Sequence, residues 1–148
     1  MPSNLEPGGA IELMDILYPI ACDDNSMPED DPAYKWSILL QDGFAAAGHS
    51  MRTGFQYKEW LTEAGFVDVV EVKEKWPTNH WPRDPKYKKV GMWVHENVMA
   101  ALQALSLAIF TRPKSEGGLG WKPEELEVLL TGVRKSLKSR SVHAYWPM

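Results

Sequence analysis

The side chains in this 148-residue chain that could do chemistry near neutral pH are four histidines, one cysteine and several acids. His95 and Glu96 stand close behind Trp93, and His143 and Tyr145 lie together near position 148. Imidazole titrates near neutrality, so His95 and His143 are the acid–base candidates. The plainer alternative makes His143 and Tyr145 packing residues at a strand start and His95 a solvated helix residue. Asp15 stands near the carboxyl end of the apolar run 10–17, where open α/β sheets bind ligands, and is the third catalytic candidate. Its alternative is a solvent-facing acid at a strand end. Glu12, three residues away, would point to the opposite face of a regular strand. Cys22 sits beside Asp23 and Asp24, and neighbouring carboxylates disfavour the thiolate a nucleophile needs. The acids 23–24 and 29–31 lack the alternating oxygen ligands and central glycine of a calcium loop, and helix capping explains Asp30 or Asp31. His49 and His80 have no metal-ligating neighbour at short spacing. No metal is expected.

These residues need a folded scaffold, and the composition supplies one. Hydrophobic residues make up 44% of the chain, which is globular and not disordered. The net charge of −4 is uneven: residues 1–50 hold nine acids against Lys35 alone, so the rest is net basic. No Lys/Arg block interleaved with aromatics is present, which disfavours nucleic-acid binding. A single cysteine excludes an internal disulfide and a cysteine-based zinc site. No basic-then-apolar start marks a secretory signal, and the most apolar segment, 98–110, is too short to span a bilayer. The expectation is one soluble domain in the cytoplasm or the nucleus, with no membrane partner.

The elements that would position the candidates follow from periodicity. Pro7-Gly8-Gly9 is a turn, and 10–17 reads as a buried strand. After a loop, Asp30 or Asp31 caps a helix over 32–47, with Pro32 in its first turn and Gly48 as its stop. A short helix over 56–64 turns Trp60 and Leu61 inward and ends at Gly65. Residues 66–76 alternate Val67, Val69 and Val72 with charged residues, as a strand with one solvated face does. A proline-rich structured loop over 77–85 leads to a long helix over 86–110. That helix is apolar on nearly every side, so it is buried on several sides or covered by a partner. The last helix starts near Pro123, with Glu124 and Glu125 in its first turn, and runs to about 139. Residues 143–146 could start one more strand.

The order of these elements is recognisable. A strand after Pro-Gly-Gly, a helix, the phrase Leu61-Thr62-Glu63-Ala64-Gly65-Phe66-Val67-Asp68-Val69 and a Trp-Pro loop resemble the second half of a class I S-adenosylmethionine-dependent methyltransferase. The tail is similar to the C-terminal region of fungal LaeA-like methyltransferases of secondary metabolism. It carries Val90-Gly91-Met92-Trp93, Asn97, Leu105-Ser106, Phe110-Thr111-Arg112, Gly120-Trp121, Glu125, Val133-Arg134-Lys135 and His143-Ala144-Tyr145. In that family the first half brings a glycine-rich cofactor loop after the first strand and an acid for the ribose. Neither is found here, and Gly117-Gly118-Leu119-Gly120 does not follow a strand. The family also continues past its His-Ala-Tyr phrase into a last strand between the two present here.

The resemblance implies a helix-rich α+β domain over 1–148, a partial Rossmann-like fold with two or three strands and about four helices. It implies that the region around the long helix covers the substrate side. Trp93, Glu96 and Tyr145 would then line a pocket for an apolar small molecule, with His143, His95 and Asp15 as catalytic groups. S-adenosylmethionine would bind only if a partner supplied the missing half. The first strand would lack its inner neighbour, and that open edge predicts self-association or a partner chain. The leading reading is a methyltransferase-family protein of secondary metabolism without its own cofactor site. The alternatives are a cofactor-independent cyclase or isomerase of a polyketide- or terpenoid-like intermediate, and a non-catalytic interaction module or gene remnant.

Overall fold

A computed structural model describes residues 5–148. Four α-helices carry the fold: α1 (Pro32–Ala46), α2 (Tyr57–Glu63), α3 (Pro85–Thr111) and α4 (Pro123–Lys138). Three short strands, β1 (Ala21–Cys22), β2 (Lys75–Pro77) and β3 (Ala144–Pro147), form one sheet in the order β1-β3-β2. Both pairings are antiparallel, with Ala21 opposite Tyr145 and Trp76 opposite Trp146. The architecture is α+β and helix-rich, as expected.

The helix starts share one device. The Asp31 carboxylate accepts the N–H groups of Ala33 and Tyr34 at 2.7 and 3.3 Å, and Pro32 follows it. Asp84 does the same for Lys86 and Tyr87 at 2.8 and 3.2 Å, followed by Pro85. An acceptor side chain satisfies donors that the first turn leaves free, and proline there loses no hydrogen bond. At the start of α4 the Glu125 carboxylate accepts the Lys122 N–H at 2.7 Å.

Helices α1, α3 and α4 pack around Trp36, Leu40, Leu102, Phe110, Leu126 and Leu130, all buried. Two buried polar contacts fix their register. Trp36 donates its indole N–H to Ser106 Oγ at 2.8 Å, joining α1 to α3. Ser136 donates its hydroxyl to the Asp31 carboxylate, 2.7 and 2.8 Å from its two oxygens, joining α4 to the cap of α1. The sheet closes one end of this core through Trp146, whose ring lies 4.9 Å from that of Tyr18 and 6.2 Å from that of Trp36. The loop after β2 is built in as firmly. Asn79 Nδ2 donates to the carbonyls of Leu137 and Ser139 at the end of α4. Gly91 of α3 packs so closely on this loop that an added Cβ would lie 2.0 Å from the Asn79 carbonyl oxygen.

Three expectations are corrected. Residues 10–17 form no strand: among the described residues, no backbone hydrogen bond joins 10–16 to another segment, and only the Leu17 N–H reaches Pro147. A strand exists only with a ladder partner, and apolar character alone does not provide one. For the same reason the strand expected over 66–76 is reduced to Lys75–Pro77. Trp60 does not turn inward; it is 45% exposed on α2. Conversely, the tentative last strand is the central one, because it alone has neighbours on both sides.

Candidate functional site

His143 and Tyr145 flank Ala144 and lie on one face of β3, as the two-residue period of a strand requires. A tight turn over 22–26 brings two carboxylates to that face. Asn25 adopts a left-handed conformation (φ 58°), which asparagine tolerates better than most residues. The turn is held by the Ser26 N–H, which donates to Asp24 Oδ1 at 3.0 Å, and by the Cys22 thiol, 3.2 Å from the same oxygen. Ser26 Oγ in turn accepts the His143 backbone N–H at 2.7 Å.

Two carboxylate-centred groups result. Asp24 Oδ2 meets His143 Nδ1 at 2.5 Å, and the His143 ring lies 4.9 Å from that of Trp81. Asp23 accepts the Tyr145 hydroxyl at 2.8 Å and the Lys75 ammonium at 2.5 Å. Lys75 also lies 4.8 Å above the Tyr145 ring. Hydrogen bonds from His143 and then Ser26 hold the Asp24 carboxyl well below the ordinary carboxylate range. Lys75, then Tyr145, lowers that of Asp23. Asp23 raises Lys75 in return. Tyr145 is raised first by desolvation and then by the Asp23 hydrogen bond.

With the proton on Nδ1 facing Asp24, the Nε2 lone pair of His143 is available as a base. The carboxylate orients the ring and stabilises its protonated form. Tyr145 is committed to Asp23, so it shapes the site and does not donate freely.

The other candidates lie apart. His95 keeps its Nδ1 buried without a hydrogen-bond partner. Trp93 is 67% exposed on α3, and Glu96 is exposed beside it. No hydrogen bond or ring contact links any of the three to His143 or Tyr145. Asp15 accepts the Tyr57 hydroxyl at 2.8 Å and lines a groove of about 740 Å³ between the extended segments 9–17 and 66–74. Among the described residues, no three of His, Cys, Asp and Glu converge as metal ligands. Also among them, no helix is long and apolar enough to cross a membrane.

Sequence reasoning missed Asp23, Asp24, Ser26, Lys75 and Trp81 as partners of β3. Asp24 and His143 are 119 residues apart, so no local spacing announces the pair. The one available signal was the Asp-Asp-Asn-Ser run, whose residues favour tight side-chain-to-backbone turns.

The glycine run 117–120 does not suit a cofactor phosphate or methionine tail. It turns the chain between α3 and α4, with Gly117 at φ 80°. A Cβ on Gly118 would meet the Arg112 carbonyl oxygen at 2.2 Å, so protein already fills the concave side.

Comparison with known proteins places the chain among methyltransferase-like sequences. It is 33% identical over 99% of its length to the probable methyltransferase tdiE of Emericella nidulans, and spans 44% of that protein. It is 30% identical over 96% of its length to the methyltransferase pytC of Aspergillus terreus, spanning 42% of it. The secondary metabolism regulator LAE1 of Cochliobolus heterostrophus is 32% identical over 97% of this chain, which spans 46% of LAE1. The chain is thus homologous, over almost its whole length, to part of the LaeA-like methyltransferases of fungal secondary metabolism. It spans less than half the length of these curated relatives. No protein-family model matches the chain. No solved structure matches it.

Proposed function

We propose that this chain is the substrate-side portion of a methyltransferase-like protein of fungal secondary metabolism, working in the cytoplasm or nucleus, and that it holds no S-adenosylmethionine alone. The observation that carries this reading is the combination of near-complete coverage of this chain with 44% coverage of the tdiE protein. The filled glycine run agrees with it. Methyl transfer then requires a partner chain that brings a cofactor half. Isothermal calorimetry of the purified chain with S-adenosylmethionine should give no saturable heat; micromolar binding would overturn the reading.

A second reading rests on the Asp24–His143 pair. The oriented imidazole could serve a cofactor-independent cyclisation or isomerisation of an apolar polyketide- or terpenoid-like intermediate by moving a proton at Nε2. His143→Gln keeps a hydrogen-bonding side chain and removes the base. An unchanged product profile in a strain carrying H143Q would remove this reading.

A further inference from the structure

The groove between segments 9–17 and 66–74 has walls of unusual character. Both are extended, and among the described residues no backbone hydrogen bond is made by 10–16 or by 67–73. Apolar side chains along them are open: Leu13 is 46% exposed, Val70 81% and Val72 72%. A row of unpaired backbone donors and acceptors beside exposed valines is a template for a further strand.

The sheet end of the groove fixes what would fit. There the last residues of β3 pair with both walls at once. The Leu17 N–H donates to the Pro147 carbonyl at 2.8 Å on one side. On the other, Glu74 and Met148 exchange two hydrogen bonds of 3.0 and 2.9 Å. The walls there are therefore separated by two interstrand spacings, about 10 Å, which a single strand fills. Met148 itself lines the groove, so the axis of β3 points along it. Phe55 and Leu61 lie in the same lining, so alternate residues of an occupant would meet an apolar floor and the others water.

We propose that this groove is a docking site for one extended polypeptide segment of another protein, about seven residues long, alternating β-branched apolar and polar residues. The segment would lie in line with β3 and bond to both walls, extending the sheet by addition of a strand. A small apolar molecule could cover the valines but could not satisfy two facing rows of peptide groups. The proposal does not depend on where S-adenosylmethionine binds.

The probe is a seven-residue Val/Thr-alternating peptide, joined to the full chain after Met148 by a flexible Gly/Ser linker. The tether holds it near millimolar effective concentration. The control has proline at alternate positions, which removes the backbone donors. Amide hydrogen exchange is read at 10–16 and 67–73, with α4 as the internal reference for an intact fold. The strand probe should slow both walls at least tenfold and the proline control should not. Equal behaviour of the two probes, or no slowing on either wall, would overturn the proposal. Slowing that rises with concentration in the untethered chain would assign the groove to a second copy and overturn it as well.

Discussion

Asp31 does two jobs with one carboxylate. It caps α1 and accepts the buried Ser136 hydroxyl from α4. Replacing it by alanine loses a cap and strands a hydroxyl, which together should cost about 2–4 kcal/mol in urea denaturation. Asp31→Asn keeps an acceptor and should cost clearly less. Tyr18 makes a pH prediction. It is 8% exposed, and burial pushes its hydroxyl up to about 12. The neutral form is favoured in the folded state, so the contribution is complete below the unfolded value of about 10 and is lost as pH rises from there through 12. Ultraviolet titration should show one tyrosine ionising late, together with alkaline unfolding. Asp24 works in the opposite range. Its folded value is depressed, so its contribution is present above the ordinary carboxylate value of about 4 and fades as acid protonates it. Asp24→Asn should flatten the decline of melting temperature between pH 4 and 2, and an unaltered slope would mean that the His143 contact does not persist in solution.

At the level of elements, the close approach of α3 to the loop after β2 is the most constrained joint. Gly91→Ala must push a methyl group into the Asn79 backbone, which cannot rotate away as a side-chain tip could. The expected cost is about 3 kcal/mol, the upper end of ordinary overpacking, readable as a fall in the denaturation midpoint. The helices were legible in the sequence because their signals are local. Asp-Pro starts at 31–32 and 84–85, Gly48 and Gly65 as stops, and a leucine stripe on α4 all act within a few residues. The strands were legible only as candidates. Val67, Val70 and Val72 have strand propensity, yet their state depends on a neighbour that no local pattern contains. The site was half legible for the same reason. His143 and Tyr145 share a face by the period of β3, whereas Asp23 and Asp24 reach them only through the tertiary fold.

For the whole molecule, rigidity should be divided between a helical core and two open walls. Exchange of amides in α1, α3 and α4 should approach the global unfolding limit. Those of 10–16 and 67–73 should exchange orders of magnitude faster, since their N–H groups bond to no other backbone. Uniform protection across the chain would contradict this division and imply that the walls are already paired in solution.

The way β3 joins the sheet also has a consequence in time. β1 and β2 form no ladder with each other; each pairs only with β3. Both halves of the sheet must therefore wait for one late-sequence segment, after long stretches of chain have been brought together at an entropic cost. The helices close largely through nearer neighbours. Refolding should then run in two stages, with helical signal returning early and the buried Trp146 falling silent to quenchers only at the end.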